Sequence, residues 1–151
     1  MADRRSEKAL AEFVAEAQEI IDALGREMLH LESARRGEDA DPQVLNAVFR
    51  GAHTLKGVAA LAGVERLARL SHALEDLLDD VRMGRRPLDA ATLDLLLEAP
   101  EVFGHILAEE AEGGAVTSAG LAESLVSRMR AARPAAPAAP PDLSSFDLGP
   151  E

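Results

Sequence analysis

Apolar residues recurring every three or four positions, helix-start and helix-stop signals between those runs, and a lack of strand-like alternation predict an all-α protein. The expected architecture is an antiparallel four-helix bundle with an additional C-terminal fifth helix packed alongside. The first helix is expected over about residues 6 to 35, starting near Ser6-Glu7. Its seam is Leu10, Phe13, Ala17, Ile20, Leu24 and Leu31, broadened by Ile21 and Met28, and Gly37-Glu38-Asp39-Ala40 reads as the turn after it. Asp41 then caps a second helix with Pro42 at its first position, where a missing N–H costs nothing. Its buried stripe is Leu45, Val48, Ala52, Leu55 and Ala59, and it ends near Ala62-Gly63.

A third helix, about 65 to 83, carries Leu67, Leu70, Leu74, Leu77 and Val81 on one face and ends in Arg82, Met83 and Gly84. After Pro87, Asp89 can cap a fourth helix that runs to about Glu110, with Leu93, Leu96, Leu97, Phe103, Ile106 and Leu107 inward. Pro100 removes a backbone donor within it and is expected to kink or split it. Gly113-Gly114 ends the segment. Thr117 or Ser118 starts a weaker fifth helix to about Arg133, with Leu121, Leu125 and Met129 on one face. The domain organisation is therefore a helical domain over 1–132 and an Ala/Pro-rich linker and tail over 133–151, where Pro134, Pro137, Pro140 and Pro141 favour an extended chain.

Composition narrows the function classes. The 151 residues suffice for one domain with a sizeable core, and with 47% hydrophobic but only 3% aromatic residues that core must be aliphatic and alanine-rich. There is no cysteine, which excludes disulfides, thiolate metal sites and thiol nucleophiles. A polar start and the lack of a long apolar run point to the cytoplasm. The net charge is −11 and the basic residues are scattered, so nucleic acid is not an expected partner. Neither an H-E-x-x-H motif nor histidines paired four apart occur, so no metal site is expected, and no Gly-rich phosphate loop or kinase motif is present.

His53-Thr54-Leu55-Lys56-Gly57 concentrates the chemistry. On a helix Lys56 and Gly57 flank the ring of His53. At about 100° per residue, His53 lies roughly 120° from the centre of the buried stripe and faces outward at the edge of the core. Gly57 and Ala60 are small enough to let a bulky group approach, and Arg50 and Lys56 can offset negative charge. Neutral imidazole is nucleophilic near pH 7 and can carry phosphate without a metal. His30 and His105 sit beside apolar seams and read as structural.

The segment 45–50 before His53, the H-x-x-K-G pentapeptide, and His72-Ala73-Leu74-Glu75-Asp76-Leu77-Leu78-Asp79 after a Gly63-centred turn together resemble the histidine phosphotransfer (HPt) domain of CheA-type chemotaxis histidine kinases. The likeness covers residues 9 to 110 and extends towards 132. Val58, Ala59 and Ala60 replace a usually more Gly- and Ser-rich run, and Val64 stands where an aromatic is common. The resemblance implies that His53 accepts a phosphoryl group, Lys56 neutralises it, Glu75 fixes the ring tautomer by a hydrogen bond, and His72 tunes that pair from behind. Periodicity taken alone places His72 opposite the leucine seam, facing solvent.

By the same resemblance, this chain is a phosphoacceptor and relay and not itself an enzyme, within a parent histidine protein kinase. It would take phosphate from the ATP-binding domain of the same or a paired CheA-type protein and yield it to an aspartate of a CheY-like receiver. No cofactor is expected in this domain, because ATP and Mg²⁺ belong to the partner domains. The isolated domain is expected to be monomeric and not inserted in a membrane. Two other readings are a free-standing HPt relay protein and a helical scaffold that is not phosphorylated.

Overall fold

The computed structural model describes residues 4–36, 39–113 and 116–131, and these form helices joined by short turns. Helix α1 spans Arg4–Leu29 and tightens into a 3-10 segment over His30–Arg36, so the long first helix changes type in its last turns. Then follow α2 (Pro42–Ala62), α3 (Glu65–Arg82), α4 (Ala90–Glu112) and α5 (Ala119–Ala131). Helices α1 to α4 close a ring of neighbours, α1 on α2, α2 on α3, α3 on α4 and α4 on α1, while α5 lies against α3 and α4. The expected linker over 133–151 and the glycines Gly37 and Gly114 lie outside the described residues.

Local chemistry sets most of the helix ends. Asp41 accepts a hydrogen bond from the Gln43 amide at 2.9 Å with Pro42 in the first turn, and Asp89 accepts from the Thr92 amide at 2.8 Å. Gly63 closes α2 in the left-handed region at φ 77°, returning its amide to the Ala59 and Ala60 carbonyls, and so sets the tight turn into α3. That turn keeps α2 and α3 antiparallel and adjacent, and the functional side chains lie on this pair.

The α2 stripe is buried as expected: Leu45, Val48, Ala52, Leu55 and Ala59 all enter the core. Where α1 crosses α2, a Cβ added to Gly51 would lie 2.7 Å from Leu24 Cδ2, so a glycine there lets the two backbones approach closely. Other seams differ from expectation at their edges. Leu10 is exposed and Ile20 only partly buried, so α1 docks through Phe13, Ala17, Ile21, Leu24 and Met28. In α5, Leu121 faces solvent and the packed face is Ala122, Leu125, Val126 and Met129. A single seam of three leucine-like positions cannot fix the rotation of a 13-residue helix, and packing against α3 and α4 selected the neighbouring face.

Helix α4 passes unsplit through Pro100. Its fully buried neighbours Leu96, Ala99 and Phe103 anchor both halves in one core, which outweighs the missing backbone donor. Among the described residues no helix is long and apolar enough to cross a membrane.

Candidate functional site

Just past the middle of α3, Glu75 projects toward α2 and receives two side chains from it. His53 Nδ1 lies 3.2 Å from both Glu75 carboxylate oxygens, and Lys56 Nζ lies 2.9 Å from Oε2. The spacing explains the convergence. His53 and Lys56 are three residues apart and therefore neighbours on the α2 surface, while Leu55 between them points into the core and fixes the helix rotation. On α3, Leu74 is fully buried and Glu75 follows it by about 100°, which carries its carboxylate to the rim facing α2.

Burial differs sharply within the cluster. The Glu75 side chain keeps only 15% of its exposure, Lys56 31% and the His53 ring 65%. Burial alone would push the Glu75 carboxyl up, but the hydrogen bonds and charges of Lys56 and His53 outweigh it and hold the group below the ordinary glutamate range. Glu75 is thus a fixed anion, and an anion facing Nδ1 favours the tautomer with its proton on Nδ1. Nε2 is then the nitrogen with the free lone pair, on a ring that is mostly in solvent.

Gly57 and Ala60 are both exposed on this side, and a Cβ built on Gly57 would meet no atom within 4 Å. Packing inside the chain therefore does not demand glycine at 57. His72 lies on α3 three residues before Glu75. Its Nε2 lies 3.6 Å from Asp76 Oδ2, one turn along its own helix, and its side chain is more than half exposed. The structure thus brings His53, Lys56 and Glu75 together and turns His72 to solvent, as helical phase alone required. His30 and His105 are exposed surface residues.

Two further features were not read from the sequence. Arg82, near the end of α3, stacks its guanidinium 4.0 Å from the centre of the Phe49 ring, one turn before His53 on α2. At the far end of the bundle, Glu109 accepts from the Thr117 and Ser118 amides, from both of their hydroxyls and from Arg66 Nη1. Only Thr117 or Ser118 as a helix start hinted at the second cluster. Among the described residues no group of three or more His, Asp or Glu side chains is placed to hold a metal ion.

The sequence matches the model of the Hpt domain over residues 8–112. It is 35% identical over 138 residues to chemotaxis protein CheA of Treponema pallidum, covering 91% of this chain and 16% of that protein. With CheA of Bacillus subtilis it shares 34% over 102 residues, 68% of this chain and 15% of the relative. The chain therefore spans less than a fifth of the length of these relatives. Among solved structures, it is similar to the phosphorylated P1 domain of CheA3 in complex with CheY6 from R. sphaeroides. The TM-score is 0.68 at 25% identity, over 83% of this chain and 94% of that one.

Proposed function

The chain belongs to the Hpt domain family, and we propose that it is the phosphoacceptor and relay domain of a CheA-type histidine kinase, with His53 as the residue that carries phosphate. One observation supports this reading above the rest. An exposed imidazole has Nδ1 3.2 Å from a well-covered carboxylate, which leaves Nε2 free and pointed away from its own partner.

In the first step the Nε2 lone pair attacks the γ-phosphorus of ATP held by a kinase domain. The N–P bond forms, the bond from phosphorus to the bridging oxygen breaks, and ADP leaves with that electron pair. The ring becomes cationic as the bond forms, and the Glu75 carboxylate, already accepting from Nδ1–H, stabilises that charge without moving. In the second step an aspartate carboxylate of a CheY-like receiver attacks phosphorus. The P–O bond forms, the N–P bond breaks, and His53 returns to neutral imidazole with its proton still on Nδ1. Mg²⁺ and ATP belong to the partners' sites, and this domain serves as substrate and relay, not as catalyst.

Lys56 is half-committed at rest, since its ammonium sits on Glu75. An ammonium has three donors on a flexible stem, so Lys56 can keep one hydrogen bond to Glu75 and direct another at a phosphoryl oxygen. Gly57 and Ala60 leave room for the incoming group.

The test is to incubate the chain with a CheA-type catalytic core and radiolabelled ATP. Acid-labile, base-stable phosphate mapping to His53 is expected. Label on another residue, or none on a folded chain, would overturn the assignment.

A further inference from the structure

We infer that Arg82, held over the face of Phe49, is a docking residue for the acidic face of the receiver that takes the phosphoryl group, and so helps to select that partner. This rests on the relay reading of His53. The guanidinium lies 4.0 Å from the Phe49 ring centre and donates from Nη2 to Asp79 Oδ1 at 2.8 Å. Both contacts hold it in the cleft between α2 and α3. Asp79 is shared, because Arg85 Nη2 lies 3.0 Å from its other oxygen. Arg85 also donates from Nε to Asp80 Oδ1 at 2.9 Å, so Asp79 and Asp80 balance the two guanidinium groups, and Arg82 is the one of the two that lies against α2.

Phe49 lies four residues before His53, roughly 6 Å along the helix axis. A protein interface of ordinary size covers roughly 800 Å² per partner, a disc about 16 Å in radius. A receiver docked over His53 with an interface of that size therefore reaches the Phe49–Arg82 stack. The Arg82 side chain is 36% exposed, so it is available to be covered.

Chemistry favours the receiver as the occupant. Its aspartate must be ionised to attack phosphorus, so the face it presents is negative at the point of contact. That face meets a phosphohistidine which is itself an anion. A cation fixed one turn from the ring offsets this repulsion, and an aromatic platform keeps it from collapsing into solvent.

The experiment compares the 151-residue chain with its Arg82→Glu, Arg82→Gln and Phe49→Leu variants, using a CheA-type catalytic core and a CheY-type receiver domain as probes. Labelling of His53 by the core should stay within about twofold of wild type in all three. The second-order rate constant for transfer to the receiver should fall about tenfold or more in Arg82→Glu and less in Arg82→Gln and Phe49→Leu, and the Arg82→Glu deficit should shrink as salt rises. Arg82→Gln keeps a hydrogen-bond donor for Asp79, so a loss of transfer with unchanged thermal unfolding separates docking from stability. Equal transfer by Arg82→Glu and wild type would overturn the inference. A loss in labelling as large as the loss in transfer would move Arg82 to the kinase side and overturn the receiver assignment. Absence of label on wild-type His53 would defeat the relay reading instead.

Discussion

Two glutamates organise opposite regions of this molecule. Glu75 accepts from Lys56 and His53 on the open rim between α2 and α3. Glu109 accepts from both amides and both hydroxyls of Thr117 and Ser118 and from Arg66, where α3, α4 and α5 meet. Both carboxyls are held below the ordinary glutamate range, Glu75 by Lys56 and His53 against its own burial, Glu109 foremost by Ser118 and then Thr117. They differ in what is left over. The donors around Glu109 are spent on closing the start of α5 and on joining α3 to α4, whereas the His53 ring keeps a second nitrogen in solvent and the Lys56 ammonium keeps spare donors. A saturated carboxylate fastens one element to another, while an open one can prepare a neighbour for reaction.

The sharpest way to break this contrast is His53→Gln. It should abolish labelling by a CheA-type core and leave the thermal unfolding midpoint close to wild type, because the ring is mostly exposed. Residual label on that variant would move the chemistry elsewhere. Next in size, Glu75→Ala should slow phosphorylation roughly 10–100-fold, as removal of a histidine's orienting carboxylate does elsewhere, with the far-UV circular dichroism unchanged. Glu109→Ala should do the reverse. Its midpoint should fall by roughly 5 °C or more, since α5 loses its capping acceptor and Arg66 one of its two carboxylate partners, with labelling near wild type. If the two variants behaved alike, the division into a fastening and a reacting carboxylate would fail.

Lys56→Ala should give a smaller loss, roughly several-fold in labelling rate, because Glu75 still fixes the ring when the ammonium is gone. The smallest effect is a pH dependence. The folded-state pKa of Glu109 lies below the ordinary glutamate value of 4.5, so the unfolded chain binds protons there more readily than the folded one. Its stabilising contribution is therefore complete above about pH 4.5 and shrinks as pH falls. The gap in stability between wild type and Glu109→Gln, followed by urea unfolding, should narrow on acidification. A gap that widened would reverse the sign assigned to this group.

Which parts were legible follows from how far apart the interacting residues lie. Asp41, Gly63 and Asp89 announced helix ends because a cap acts within two to four residues. The α2 stripe from Leu45 to Ala59 was legible because about four turns of consistent phase leave one rotation that buries them all. Leu121 was misplaced for the opposite reason: α5 is short, and its rotation was settled by the surface it met. Pro100 left a kink or a split open because backbone chemistry was visible and the core around Leu96 and Phe103, which keeps α4 unsplit, was not. The exposure of His72 agreed with helical phase, which placed it opposite the leucine seam.

The sequence by itself determined that the chain is a helical bundle, where most of its helices begin and end, and that His53 stands outward with Lys56 beside it. These follow from interactions within a few residues, which periodicity and capping encode directly. Only the tertiary structure decided that Glu75, 22 positions away, meets the Nδ1 side of that ring, and that Arg82 lies on Phe49. It alone joined Arg66 to Glu109, 43 positions apart, and with them the start of α5. The rotation and offset of one helix against another come from the packing of whole faces, and a carboxylate finds its donors only once that packing has fixed where each rim lies.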